Sequence, residues 1–524
     1  MRARPVFLPA LVLMLAATAC AAAPPAKPLT VRIHTLQANA PADLEWVGFA
    51  LADQAAEALD QAEGVSASHY TANDAWLDEQ LARHPELGAL VRTWATRALP
   101  EGASFNLNAP RTPSGPADVD VTGACSVEGD WLRATLEARR PGEEKPRLLF
   151  VAGALRQVAV LGDELGEKLA RALGFDLNRR GMAEPIPVRP SNLDAAREYF
   201  AARRLIGGFF ERWAREALKP SAEQRTYAVI AAETYDEIAG HLDRATAADP
   251  NFAAAYNLKG GAVILAGFAA LPFKEQPNGV EALQRAADSA IAAARAASRL
   301  CPESPEPHSV LGALLLLEQL MLLEADESSG AKERNAEKRL AAWAAGMVHW
   351  QRAAELAPKD PQAHANIASG YVFAVVRMER GIEAYPELWD AAVAEQQKAI
   401  DLGGDKYALA LANMYAARDQ HEAAIALAER AAKADPGNAD VWSFLAGCYR
   451  EAGKAKEAAD AARKAIEIEP DQAQHQVLLG KALAALGEKA KAATAFRRAL
   501  ALDPNNGDAQ TGLDKLSGKL EPGK

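Results

Sequence analysis

The chain has 524 residues, too many for one hydrophobic core, so about three domain-sized units are expected. Hydrophobic residues make up 49% of the chain but aromatic ones only 6%, so alanine carries much of the apolar content and favours helices. Basic and acidic residues are interspersed at a net charge of -11, which excludes the clustered basic surface that nucleic acid binding needs. Beyond the amino terminus no long uninterrupted apolar run predicts a membrane span.

Residues 1–19 are predicted to be a secretory signal peptide. Arg2 and Arg4 precede an apolar run, and small residues lead up to Cys20. The stretch ATAC, which ends at Cys20, resembles the lipobox of bacterial lipoproteins, in which the cysteine becomes the first residue and carries acyl chains. The match departs at Ala17, where leucine is commoner. The alternative is an ordinary A-x-A cleavage site that is followed by a cysteine.

Residues 20–28 contain AAAPPAKP, a low-complexity stretch that is predicted to be a lipidated tether. Stable attachment needs more than one acyl chain, and the lipoprotein resemblance implies several. In enteric lipoproteins the residue directly after the cysteine is the sorting signal, and an aspartate there changes the destination. This chain has Ala21 at that position, which points to the outer membrane. The resemblance therefore implies an outer-membrane lipoprotein that faces the periplasm, with a soluble periplasmic protein as the alternative.

Three further cysteines, Cys125, Cys301 and Cys448, are far apart and lie in apolar patterns. Their odd number and wide spacing do not form a disulfide framework. They are predicted to be buried free thiols.

Residues 29–174 are predicted to be a compact α+β domain. Strands begin at Leu29 and Val65 with a helix between them, and ADVDVTGACSVEGDWLRATLEAR from Ala117 alternates with period two like a hairpin. A strand from Pro146 and an amphipathic helix from Arg156 complete the domain. The stretches VTGACSVEGDWLRATLEAR and LGDELGEKLARAL resemble the amino-terminal domain of TolB. The proline-containing residues 175–191 are predicted to be a linker.

A 34-residue period separates Pro436, Pro470 and Pro504. Between the first two, Trp442 and Tyr449 lie two helical turns apart among small residues. This pattern resembles the tetratricopeptide repeat, which implies an all-α solenoid of stacked antiparallel helix pairs in a right-handed superhelix. Small residues at Ala446 and Gly480 allow close helix approach, and each proline ends a helix.

The repeat region is predicted to span residues 192–506, regular over 405–506 and irregular over 192–404. In the irregular part the proline-marked endings are further apart, and about six to seven helix hairpins are expected. The stretches ALPFKEQPNG from Ala270 and ADESSGAKERNAEK from Ala325 are predicted to be inserted loops. Residues 507–524 are predicted to be a capping helix and a tail.

No reacting constellation is found in the sequence. It holds no G-x-S-x-G, no H-E-x-x-H and no glycine-rich phosphate loop. His349, beside Trp350 in a helical apolar pattern, is predicted to be a packed residue rather than a ligand or a base. The sequence therefore predicts a protein that is not an enzyme, with no catalytic residue, no cofactor and no metal.

The resemblance to tetratricopeptide repeats assigns ligand binding to a concave groove lined by the first helix of each repeat. In this family, the clamp for a carboxyl-terminal carboxylate needs a second asparagine at the position that Phe444 occupies here, so a ligand of that kind is not expected. An acidic or polar peptide segment is expected in the groove instead. The groove candidates are Lys406, Leu409, Asn413, Asp440, Ser443, Arg450, Glu451, Gln474, Val477 and Lys481.

These features predict a protein-interaction scaffold whose partners are envelope or periplasmic proteins or peptides. The alternative function is a ligand-binding or regulatory protein that uses the α+β domain.

Overall fold

The computed structural model shows two compact units, which divide between Gly370 and Tyr371. It describes residues 29–60, 62, 65–71, 74–75, 79–80, 83, 117–143, 145–175, 186–219, 227–269, 279–316, 336–377 and 386–517. The predicted signal peptide and tether lie outside the described residues. So do most of the predicted linker and nearly all of both predicted inserted loops.

The first unit begins with a mixed sheet. Its strands run in the order β3-β1-β4-β5-β6, with β2 paired to β4. The pairings of β1 with β3, β1 with β4 and β2 with β4 are parallel, whereas those of β4 with β5 and β5 with β6 are antiparallel. The strands are β1 (Leu29–His34), β2 (Gln37–Asn39), β3 (Val65–Tyr70), β4 (Val119–Glu128), β5 (Trp131–Arg139) and β6 (Arg147–Ala154).

Two helices cover one face of this sheet, α1 (Trp46–Asp60) and α2 (Val158–Leu173), and they also pack against each other. Burial alternates along β5, so one side faces the helices and the other faces solvent, as period-two patterning predicts. A Cβ on Gly166 would lie 2.7 Å from the Cβ of Ala58, so glycine permits the close helix packing. The predicted α+β domain is confirmed, and the three-residue β2 is an addition to it.

A partly buried ion-pair cluster joins the sheet domain to the first repeat helix, α3 (Leu193–Gly207). Arg203 reaches Asp53 and Glu57 on α1, at 2.6 Å each. Burial alone would raise the pKa of Asp53, but the Arg203 guanidinium and His69 hold it below its usual value. This cluster fixes the position of α3 on the sheet domain.

Paired helices fill the rest of the first unit. Helix α3 packs against α5 and α6 against α7, as the repeat pattern predicts. The helices are α4 (Phe209–Ala217), α5 (Tyr227–Ala248), α6 (Ala253–Ala269), α7 (Gly279–Leu300), α8 (described over 305–316), α9 (Ala336–Leu356) and α10 (Pro361–Arg377), and the division between the two units falls within α10. Helix α9 begins inside the stretch that was predicted to be a loop.

The Trp350 side chain of α9 packs against Gly312 of α8 and Gly370 of α10. It is 1% exposed, and a Cβ on Gly312 or on Gly370 would collide with its ring. The neighbouring His349 is half-buried, with its Nδ1 3.0 Å from Nδ1 of His308. Among the described residues no group of three or more side chains could hold a metal ion.

The second unit contains the regular repeats. Helix α12 packs against α13, α14 against α15, and α16 against α17. The predicted proline endings are confirmed, because α13, α15 and α17 each end two residues before Pro436, Pro470 and Pro504. The helices are α11 (Pro386–Gly403), α12 (Ala408–Ala416), α13 (His421–Ala434), α14 (Ala439–Glu451), α15 (Ala455–Ile468), α16 (Ala473–Ala485), α17 (Lys489–Leu502) and α18 (Gly507–Leu516).

The three cysteines within the described residues are all free thiols. Cys125 and Cys448 are buried as predicted, but Cys301 is only half-buried because it follows the last residue of α7, at a helix end. In the part of the chain that the structure describes, no helix combines the length and apolarity that a membrane crossing needs.

Candidate peptide-binding groove

The first helices of successive repeats lie side by side in the second unit, where α14 contacts α16 and α16 contacts α18. Asp440, Gln474 and Asp508 are each the second residue of one of these helices, and all three are exposed. The 34-residue period therefore repeats one surface position from helix to helix, as the solenoid pattern requires.

Ser443 on α14 and His475 on α16 form a contact between neighbouring first helices. The Ser443 hydroxyl lies 2.7 Å from His475 Nδ1. The imidazole is only 5% exposed, and its Nε2, 3.5 Å from a carboxylate oxygen of Glu469, makes no hydrogen bond. The ring therefore depends on Ser443 for its orientation and leaves one buried nitrogen unsatisfied.

Lys481 and Asp508 form the next cross-helix contact, between α16 and α18. The Lys481 ammonium lies 2.5 Å from the Asp508 carboxylate, and both side chains are substantially exposed. An exposed ion pair of this kind contributes about 0–1 kcal/mol, so either partner can exchange it for a ligand at little cost.

Arg450 near the end of α14 pairs with the adjacent Glu451 at 2.5 Å, while its buried Nε has no hydrogen-bond partner. Burial, with the Glu451 charge as a lesser cause, raises the pKa of the Cys448 thiol to about 12. Because that Nε is buried, only the terminal nitrogens of the Arg450 guanidinium can meet a ligand.

The other predicted groove residues are placed less uniformly. The Asn413 amide donates to the Leu409 carbonyl of its own helix at 3.0 Å. Leu409 is 9% exposed, and Val477 is fully buried in the core that surrounds Phe496. Val477 is therefore a core residue and not a groove residue, because its helix turns that position towards the paired helix. The Lys406 side chain lies outside the described part of the structure.

Two residues that contact the predicted groove residues were missing from the sequence prediction. Asp508 lies in the segment that was predicted to be a cap, yet it occupies the same second helix position as Asp440 and Gln474. His475 stands beside Gln474, and only the packing of α16 on α14 shows that it meets Ser443. The repeat register could have identified Asp508, but no sequence signal pointed to His475.

The groove candidates present charges of both signs together with hydrogen-bonding groups. Arg450 and Lys481 supply donors, whereas Asp440, Glu451 and Asp508 supply carboxylates. Such a surface can bind an extended polar segment through side-chain and backbone hydrogen bonds.

Two tetratricopeptide repeat family models match the chain, over residues 415–482 and 476–506. Together with the helix pairs, these matches define the class of this region: residues 415–506 are tetratricopeptide repeats. Among curated proteins, no relative matches it.

Several solved structures are similar over parts of the chain. The second TPR domain of human RPAP3, in complex with an HSP70 peptide, is 28% identical, with 20% of this chain and 88% of that chain covered and a TM-score of 0.20. The TPR domain of Arabidopsis OM64 is 23% identical, with 22% and 96% covered and a TM-score of 0.21. YrrB, a TPR protein with an unusual peptide-binding site, is 16% identical, with 43% and 98% covered and a TM-score of 0.30.

Proposed function

We propose that this chain is an interaction scaffold whose second unit binds an extended acidic or polar segment of an envelope or periplasmic protein. The observation that carries the proposal is the pair of cross-helix contacts, Ser443 with His475 and Lys481 with Asp508. They align polar groups along adjacent first helices, which is the arrangement that an extended peptide needs for several hydrogen bonds at once. The proposal assigns no chemical reaction to the chain.

The Lys481–Asp508 pair is the proposed point of ligand exchange. A partner carboxylate that replaces Asp508 keeps the lysine paired and adds contacts elsewhere along the groove. Because the pair is exposed, breaking it changes the free energy of unfolding by less than about 1 kcal/mol. Binding and stability can therefore be separated by mutation.

The test is affinity capture from periplasmic extract with the wild-type chain, Lys481→Glu and Lys464→Glu. Lys464 is the matched control, because its exposed side chain pairs with Glu467 on α15, outside the first helices. We expect Lys481→Glu to reduce capture of the wild-type partner set at least about tenfold, which corresponds to about 1.4 kcal/mol. Equal capture by all three chains would overturn the groove assignment.

We also propose that Cys20 carries acyl chains and holds the protein on the periplasmic side of the outer membrane. The basic start, the apolar run and the ATAC stretch support this proposal. Growth with labelled palmitate should label the wild-type chain and leave Cys20→Ser unlabelled. Equal labelling of the two chains, or none of the wild type, would instead favour the soluble periplasmic form.

The sheet domain is proposed to be related to the amino-terminal domain of TolB. The support for this relationship is the order of its elements, a strand-helix-strand unit that is followed by a hairpin, a strand and a helix. The structure of the isolated sheet domain, compared with that of TolB, tests this assignment.

A further inference from the structure

The carboxyl ends of two parallel strands, β1 and β3, bring a hydroxyl group close to an imidazole. Thr35 directly follows β1, and its backbone N–H donates to the Tyr70 carbonyl oxygen at the end of β3 at 3.2 Å. Ile33 and His69 are register partners on these strands, and Ile33 is fully buried on the face that α1 covers. Because side chains alternate along a strand, His69 and Thr35 share that face. The carboxyl ends of parallel strands are where α/β sheets commonly hold ligands.

A carboxylate on α1 completes a chain of three groups. The Thr35 hydroxyl oxygen lies 2.8 Å from His69 Nε2, and His69 Nδ1 lies 3.5 Å from Asp53 Oδ1. Against the effect of burial, Arg203 and His69 hold the pKa of Asp53 below its usual value, so this carboxyl is ionised. An ionised carboxylate only accepts, so the proton of the neutral imidazole belongs on Nδ1 and Nε2 accepts from the Thr35 hydroxyl. The order is that of a nucleophile, a histidine and a carboxylate in a catalytic triad.

The surroundings of the imidazole hold it in this orientation. The His69 side chain is 7% exposed, and its ring packs on Phe49 with the ring centres 4.6 Å apart. Asp53 meets Arg203 Nε through its other oxygen, Oδ2, at 2.6 Å, so Oδ1 remains directed at His69. Thr35, by contrast, is exposed. A substrate can therefore reach the hydroxyl oxygen while the base beneath it stays in place.

The first turn of α1 lies beside the residue that follows Thr35. The Leu36 N–H donates to the Gly48 carbonyl oxygen at 3.4 Å. A Cβ on Gly48 would lie 2.2 Å from the Leu36 carbonyl oxygen, so glycine permits this close approach. The amino-terminal end of a helix carries a partial positive charge, which favours negative charge that develops near it. The position of α1 therefore favours the oxyanion that forms when a nucleophile attacks a carbonyl group.

We propose that Thr35 is a nucleophilic hydroxyl that accepts the acyl group of a small ester, with His69 as its general base and Asp53 as a positioning residue. In the first step Thr35 Oγ1 bonds to the acyl carbon, the bond from that carbon to the alcohol oxygen breaks, and the hydroxyl proton passes through His69 Nε2 to the alcohol. Water then attacks the acyl carbon, its proton passes through His69 to Thr35 Oγ1, and the carboxylic acid leaves. A small ester is expected because threonine carries a methyl group beside its hydroxyl.

The first test is labelling of the full-length chain with a fluorophosphonate, in which the hydroxyl oxygen bonds to phosphorus and fluoride leaves. Thr30 is the control within the same strand, because its hydroxyl donates to Asp118 Oδ2 at 2.8 Å instead of to an imidazole. We expect mass spectrometry of the peptides to find at least about tenfold more label on Thr35 than on Thr30, as general-base assistance predicts. Equal labelling of the two threonines, or no label on Thr35, would overturn the proposal.

Variants test the roles of the two supporting residues, with the fold of each checked by circular dichroism. His69→Gln and Asp53→Asn should each lower the labelling of Thr35 at least about tenfold. Glu57→Gln is the matched control for Asp53→Asn, because it breaks the other ion pair of Arg203 and leaves Asp53 in place. Equal losses in Asp53→Asn and Glu57→Gln would overturn the positioning role. A folded His69→Gln chain that is labelled like the wild type would overturn the whole proposal.

The substrate class is tested with p-nitrophenyl acetate. The wild type should release nitrophenolate at least about tenfold faster than His69→Gln, and an acetyl group should be found on Thr35 after rapid acid quenching. Thr35→Ser should keep the activity, because it places a less hindered hydroxyl at the same position. Equal release by the wild type and His69→Gln, or an inactive but folded Thr35→Ser chain, would overturn the proposal. These results do not depend on Lys481, so failure here and failure of the groove in the second unit are distinguishable.

Discussion

The Phe496 ring of α17 occupies the space that a side chain on Gly480 of α16 would need. A Cβ on Gly480 would lie 2.6 Å from Cε1 of Phe496, and one on Gly512 of the following helix would lie 2.5 Å from Cζ. One aromatic ring thus enters between two glycines on consecutive first helices. Trp350 makes the same arrangement with Gly312 and Gly370 in the first unit.

Gly480→Ala should therefore destabilise the second unit. The new methyl group forces Phe496 or the helix to shift, at a cost of about 1–3 kcal/mol. Gly447→Ala is the matched control, since its Cβ would meet nothing within 4 Å and alanine favours a helix. Denaturant unfolding should show a lower midpoint for Gly480→Ala only. A midpoint unchanged in both variants would contradict the packing.

Arg203→Met should destabilise the junction between the sheet domain and α3. It removes the cation that balances the negative charge of Asp53, whose side chain is only 14% exposed. The expected loss in the free energy of unfolding is about 3–5 kcal/mol. Arg171→Met, which breaks an exposed pair with Glu167, should change stability by less than about 1 kcal/mol. The measurement is denaturant unfolding of the full chain, and similar effects of the two changes would refute the role of Arg203.

The contact between His308 and His349 predicts acid sensitivity of the first unit. Burial lowers the pKa of both rings below 6.5, with Arg352 as a further cause for His308 and with His308 and Arg295 as further causes for His349. The unfolded chain then binds more protons than the folded one, so stability falls as pH drops below about 6.5. The Ser298 hydroxyl also lies 3.5 Å from Nε2 of His308.

His349→Gln should weaken this pH dependence, because it removes one titrating ring from the pair. The measurement is the free energy of unfolding at several pH values between about 5 and 7.5, the range in which a histidine titrates. His364→Gln is the control, since His364 contacts the Pro358 carbonyl away from this pair. An identical pH dependence in the wild type and His349→Gln would disprove the assignment.

Thiol labelling should distinguish the three cysteines. Burial raises the pKa of Cys125 to about 11 and that of Cys448 to about 12, so little thiolate forms at pH 8. Cys301 is more accessible and should react first in a Cys20→Ser chain. Mass spectrometry after alkylation should find one modified thiol in the folded protein and three after denaturation. Early modification of Cys448 would contradict its burial.

Several elements could be predicted from the sequence because their patterns are local. The prolines at 436, 470 and 504 mark helix ends, since proline lacks the donor that continues a helix. Alternation in β5 identified a strand with one buried face. The exposed strand β2 has only three residues, and pairing with β4 is what holds it, so no local pattern revealed it.

The sequence by itself determined the repeat period, the helix pairs of the second unit and the order of elements in the sheet domain, because propensity and periodicity act between near neighbours. Tertiary structure alone decided that Val477 is core, that His475 meets Ser443, and that Arg203 reaches Asp53. The last two of these relationships join residues that are at least 32 positions apart. They depend on how neighbouring helices pack, which no short stretch of sequence encodes.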